Sequence, residues 1–101
     1  MLMTILEAQI APGRESDLTA AYAAAAARTL PPGLIRTELL RDARDPTRWR
    51  IQTLWQDRAA LEAMRGAGTP AGVLMFRAAG AEPTLSIHEV VDRIEFRPQA
   101  G

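Results

Sequence analysis

Residues 48–64, RWRIQTLWQDRAALEAM, decide the fold, because the hydrophobic period changes inside them from two residues to about three and a half. Trp49, Ile51, Thr53 and Trp55 alternate with Arg50, Gln52 and Leu54, the pattern of a strand with a large aromatic near each end. Asp57 then stands where a helix N-cap belongs. Beyond it Ala60, Leu61 and Met64 recur at helical spacing among good helix formers. A strand that passes through a Trp straight into a capped helix is a connection unit, and its partner units lie on either side of it.

Upstream, Leu34, Arg36, Glu38 and Leu40 alternate with Ile35, Thr37, Leu39 and Arg41, which predicts a strand with those two faces. Asp42 to Pro46 is a tight loop that joins the two strands as an antiparallel hairpin. Residues 14–29 read as a helix with Leu18, Ala21, Tyr22, Ala25 and Ala26 on one face, stopped by Leu30, Pro31, Pro32 and Gly33. Residues 2–10 form a first strand, closed by Ala11, Pro12 and Gly13. Downstream, Gly66 and Gly68 interrupt the helix, and Thr69 with Pro70 restarts one that runs to about Ala79 with Gly80 as its cap. The last strand covers residues 84–91, and residues 93–101 follow as an extended arm. The order strand, helix, strand, strand, helix, strand is the ferredoxin-like α+β plan: an antiparallel sheet of about four strands with helices on one face. The expectation is one domain over residues 1–101 with its core in about 2–92.

A chain of 101 residues buries roughly 65% of its unfolded surface, so its core is small. Net charge is zero, and all twelve basic side chains are Arg. They are scattered evenly and give no stripe for phosphates, which argues against nucleic acid. The absence of Cys removes disulfides, thiolate nucleophiles and thiolate metal sites. The first residues show no basic region or cleavage site, and no apolar run approaches a membrane span, so a soluble, cytoplasmic protein is expected. Both strand faces carry apolar residues, Leu39 against Leu40 and Leu54 against Trp55, while one helix layer covers one face. Two sheets from two chains closing face to face into a barrel would cover the other, which points to a homodimer. The alternative is a monomer whose open face is decorated by Arg36, Glu38, Arg50 and Gln52.

The opening ILEAQIAPGRESDLTAAY, the hairpin LIRTELLRDARDPTRWRIQTLWQDRAALEAM and the closing strand resemble the antibiotic biosynthesis monooxygenase family of dimeric α+β barrels. The resemblance rests on Pro12 and Gly13 before the first helix, the Asp45–Pro46 turn, and Trp55 followed by Asp57, Ala60 and Leu61. These features specify the scaffold better than the reaction. The family implies cofactor-independent oxygenases of aromatic polyketides, quinol monooxygenases or haem-degrading enzymes. The haem-degrading branch uses an Asn on the first strand, a Trp in the helix after the conserved strand and a His in the next helix. Here there is no Asn at all, Met64 stands about where the Trp would be, and residues 74–76 contain no His. One His and no Cys make no ordinary nitrogen or sulfur metal site, and neither metal nor cofactor is expected.

A few groups remain that suit a pocket between helices and sheet. His88, the only imidazole, has the chemistry of a general base for a phenolic proton, since an ionised hydroquinone reduces oxygen far more readily than a neutral one. Its plain alternative is a strand histidine bonded to a neighbour or facing solvent. Tyr22 on the first helix suits a substrate oxygen, or else packs with its hydroxyl at the rim. Trp49 offers a stacking surface or a core anchor, whereas Trp55 reads as scaffold. Arg36, which the alternation sets opposite Arg50, suits an anionic substrate or a cross-strand polar ladder. Met64, Met75 and Phe76 read as core or pocket wall, with Met64 and Phe76 the candidates for substrate contact. The expected function is a cofactor-independent monooxygenase that oxidises a small hydroxyaromatic or quinol with O2. The alternatives are a non-catalytic small-molecule-binding or stress-related dimer on the same scaffold, and a lactone isomerase or related enzyme.

Overall fold

The computed structural model describes residues 1–96 and runs β1 (Leu2–Gln9), α1 (Glu15–Ala26), β2 (Leu34–Arg41), β3 (Arg48–Trp55), α2 (Arg58–Gly66), α3 (Ala71–Ala78) and β4 (Thr84–Glu89). The four strands make one antiparallel sheet in the order β2-β3-β1-β4, the ferredoxin-like α+β arrangement expected from the sequence. Of the expected C-terminal arm, residues 93–96 follow β4 without regular secondary structure and are exposed, and residues 97–101 lie outside the described residues.

Local chemistry sets the corners. The Asp42 carboxylate accepts from the backbone N–H groups of Arg44 and Asp45 at 2.8 Å each, and Asp45 accepts from the Thr47 hydroxyl at 2.6 Å, which fixes the hairpin loop. Asp57 caps α2, its side chain accepting from the Ala60 N–H at 2.9 Å. The start of α3 differs from expectation. Pro70, not Thr69, is its N-cap residue, and no side chain caps it. Arg14, just ahead of α1, donates to the Ala78 carbonyl at 2.9 Å and so ties the start of α1 to the end of α3.

Trp49, Ile51, Thr53 and Trp55 all face the helices and are buried, as their alternation predicts. One face assignment is corrected. Leu34 pairs with Trp55 but Arg36 pairs with Leu54, so Ile35 is the extra residue of a β-bulge. The bulge turns Leu34 towards the helix layer, where it packs beside Leu2, Trp55 and Leu61, and leaves Ile35 exposed.

The core divides into two clusters. Leu6, Ile10, Leu18, Trp49, Ile51 and Phe76 form the larger one under α1 and α3. Leu2, Trp55 and Leu61 form the smaller one under α2. Along β1 the helix-facing order is Leu2, Thr4, Leu6, and along β3 it is Ile51, Thr53, Trp55, so a threonine separates the clusters on each strand.

Candidate functional site

A cavity of about 240 Å³ occupies the gap between the two clusters. It exists because the residues that would fill it are small: α1 presents Ala25 and Ala26 there, and α3 presents Ala71 and Gly72. Gly72 allows the close approach, since a Cβ at that position would lie 2.6 Å from the Leu6 side chain. Trp55, Met64 and Met75 supply the larger walls, and residues 28–31 edge the opening from the loop after α1.

The floor is a row of threonines. Thr37, Thr53 and Thr4 are direct partners across β2, β3 and β1 and all line the cavity. Thr4 and Thr53 are each 8% exposed. The Thr37 and Thr53 hydroxyls bond each other at 3.1 Å, and the indole N–H of Trp55 donates to the Thr4 hydroxyl at 3.1 Å. Each hydroxyl offers one donor and two acceptor positions. One donor is used within the Thr37–Thr53 pair, and the Thr4 oxygen is an acceptor in its only hydrogen bond here, so two O–H donors remain for a ligand.

The candidates from the sequence separate cleanly. Tyr22 and Met64 line the cavity. Phe76 is fully buried in the larger core cluster and Trp49 is 7% exposed within it, with Arg41 stacked 5.6 Å from its ring; neither lines the cavity. Arg36 and His88 lie on the sheet face away from the helices, as partners of Leu54 and Met3. The expected Arg36–Arg50 pairing does not form, because the hairpin loop sets Arg41 opposite Trp49 and Leu40 opposite Arg50, which puts Arg36 opposite Leu54. Arg36 instead pairs with Glu38 at 3.1 Å, and Arg50 with Glu7 at 3.2 Å. The His88 Nε2 bonds the Ser86 hydroxyl at 2.9 Å on an exposed strand, so the structure does not bring Tyr22 and His88 into one pocket.

Trp55 serves as both core anchor and cavity wall. Thr4, Thr37, Thr53 and Arg28 were not among the sequence candidates. The available signal was Thr53, a polar residue in the middle of an otherwise apolar strand face.

The charge pattern concentrates elsewhere. On the outer face Glu7 accepts from Arg48 at 2.8 Å and from Arg50 at 3.2 Å, and these bonds, led by Arg48, hold its carboxyl below the usual glutamate range. Among the described residues, the cavity lining contains no carboxylate and no imidazole, and Arg28 is its charged side chain. Among the described residues, no group of three His, Cys, Asp or Glu is placed to hold a metal ion. No helix among them is long and apolar enough to cross a membrane.

A ferredoxin-like sheet with a cavity between strands and helices defines the class. The chain belongs to the antibiotic biosynthesis monooxygenase family, whose model matches residues 1–69. Its fold is shared with a Deinococcus radiodurans protein assigned to the antibiotic biosynthesis monooxygenases (13% identity, TM-score 0.72, covering 97% of this chain and 100% of that one). It is also shared with a mutant of SnoaB, a cofactor-independent oxygenase from Streptomyces nogalater (16% identity, TM-score 0.69, 92% of this chain and 95% of that one). A third similar structure is a mutant of MhuD with two manganese protoporphyrin IX molecules bound per active site (20% identity, TM-score 0.72, 95% and 100% covered). No curated protein matches the sequence. A metalloporphyrin does not suit this cavity: among the described residues its lining has no imidazole to hold the metal, and His88 is on the opposite side of the sheet.

Proposed function

We propose that this protein is a cofactor-independent monooxygenase that oxidises a small hydroxyaromatic compound with O2 in the cavity between sheet and helices. The cavity carries the reading: an apolar space walled by Trp55, Met64 and Met75 with hydroxyl groups on one side suits a flat ring bearing oxygen. Its size sets the substrate. An apolar cavity of about 150 Å³ takes benzene and pockets for drug-sized ligands begin near 300 Å³, so about 240 Å³ suits one or two fused rings. The fold shared with SnoaB supports the reaction class.

In this reaction the ionised phenol donates an electron to O2, and the resulting superoxide combines with the ring radical at a ring C–H position. The hydroperoxide then loses water, so a phenol and O2 give a quinone and H2O. The protein binds the ring, favours its anion and keeps bulk water away. Tyr22 lines the cavity, and on this reading its hydroxyl bonds a substrate oxygen. We place this activity in a cytoplasmic homodimer, because the sheet face opposite the helices carries Met3, Ile5 and Leu40, which the chain itself leaves partly exposed, and a second copy of that face would cover them.

The test is oxygen uptake by the purified protein, with chelator present, on hydroquinones, phenols and naphthols. Saturable uptake that falls about tenfold in Tyr22→Phe is expected. Uptake no faster than the spontaneous rate would overturn the monooxygenase reading and favour a ligand-binding role.

A further inference from the structure

The cavity has room for an aromatic ring but, among the described residues, offers no side chain to take its proton, since neither a carboxylate nor an imidazole lines it. What it does offer is donors. Two O–H groups of the threonine row are uncommitted, and two of the three threonines are nine-tenths buried. Arg28 lines the same cavity and forms no ion pair among the described residues. Pro70, Ala71 and Gly72 bring the N-terminal end of α3 to it as well, the positive end of the helix dipole.

We propose that the Thr37–Thr53–Thr4 row is an oxyanion-binding floor that selects the phenolate form of the substrate, so that ionisation is achieved by binding the anion and the proton leaves to solvent. This rests on the reading of the cavity as a hydroxyaromatic site, and it names the substrate feature recognised: one ring oxygen carrying negative charge. Charge favours that feature over a neutral hydroxyl. With Thr37 donating to Thr53, the free hydrogens are those of Thr53 and Thr4 on adjacent strands, where one phenolate oxygen can accept from both, and charge-assisted hydrogen bonds are the stronger kind. Trp55 sets the third hydroxyl. Its N–H occupies a Thr4 lone pair, which leaves the Thr4 hydrogen as that residue's contribution to a ligand. The row extends over two strand spacings, about 10 Å, so the oxygen has a defined side of the cavity to approach. Thr4, Thr37 and Thr53 are on this account positioning and ionising residues, with no proton of their own transferred.

The experiment is a pH titration of 4-nitrophenol bound to the full chain, followed by the visible absorbance of the anion. The bound probe is expected to titrate about one unit or more below the free probe, which is a tenfold or greater preference for the anion. The double variant Thr37→Val/Thr53→Val removes both partners of one hydrogen bond and keeps the side-chain shape, so it leaves no orphaned polar group. It should return most of that shift, because the anion loses more than the neutral probe does. Thr4→Ser should retain the shift. A bound probe that titrates at or above its free value overturns the proposal. So does a shift that survives the double variant, and so does the absence of saturable binding. Because no turnover is needed, an intact anion preference without oxygen uptake would sink the oxygenase reading and leave the oxyanion floor standing.

Discussion

The helix-facing side of the sheet has two ends built from the same strands to opposite purposes. At one end Trp49 and Ile51 are closed over by Leu18 and Phe76, both fully buried. At the other, Thr53 and Trp55 face a helix layer made of Ala25, Ala26, Ala71 and Gly72, and a cavity stays open. The two tryptophans make the contrast sharp. The N–H of Trp55 is bonded to Thr4, whereas the buried N–H of Trp49 has no partner among the described residues. An unpaired buried donor costs about 1–3 kcal/mol, so the packed end tolerates a polar fault that its apolar contacts outweigh. The open end has given up those contacts and uses its polar groups in an ordered way.

This contrast is broken most severely by emptying the packed end. Phe76→Ala should destabilise the protein by about 3–5 kcal/mol in urea unfolding, while Met64→Ala at the cavity wall should cost less than half of that. Equal losses would mean that the two ends are packed alike. Next in size, Thr4→Val strands the Trp55 N–H and should cost about 1–3 kcal/mol, read by the same measurement. Smaller again is Ala25→Leu, which fills the cavity. It should leave stability within about 1 kcal/mol of the parent, or raise it, while weakening 4-nitrophenol binding at least tenfold. Unchanged binding in that variant would place the ligand elsewhere.

The strands and their corners were legible in the sequence, as were Tyr22 and Met64 on the cavity wall, but the threonine floor was not, and Trp49 and Phe76 of the packed end were read as substrate contacts. Alternation along residues 49–55, the Asp57 cap and the aspartates of the hairpin loop act within a few residues, so they can be read locally. A threonine row acts across strands. Each Thr alone reads as an ordinary strand former, and only the register of β1 and β2 on β3 brings the three together. The bulge at Ile35 was hidden for the same reason, since no Gly marks it and its cause lies in the pairing with β3. His88 was partly legible. Leu85 and Ile87 share the parity of helix-facing Thr4 and Leu6, so alternation alone puts Ser86 and His88 on the other face.

The surface carboxylates supply the weaker effects. Glu7 bonded to Arg48 and Arg50, Asp42 and Asp45 in the hairpin loop, and Glu82 beside Arg77 all have carboxyl pKa values lowered by these hydrogen bonds. A lowered folded-state pKa gives stability that is present above the unfolded value and lost as pH falls through the folded one. The urea midpoint should therefore be flat from about pH 7 to pH 5 and decline below about pH 4, where these groups take up protons. Glu7→Gln should soften that acid decline; a decline of the same steepness would assign the acid sensitivity to the loop aspartates.

The smallest effect expected is that of His88→Ala. Its ring is on the exposed edge strand and bonded only to Ser86, so its loss should change stability by less than about 0.5 kcal/mol. Oxygen uptake should likewise stay within about twofold of the parent, because the sheet itself separates this ring from the cavity floor. A large loss of uptake at unchanged stability would be the informative failure. It would mean that the reacting ring sits against the outer face, where only a second chain could enclose it, and that the cavity between sheet and helices serves another purpose.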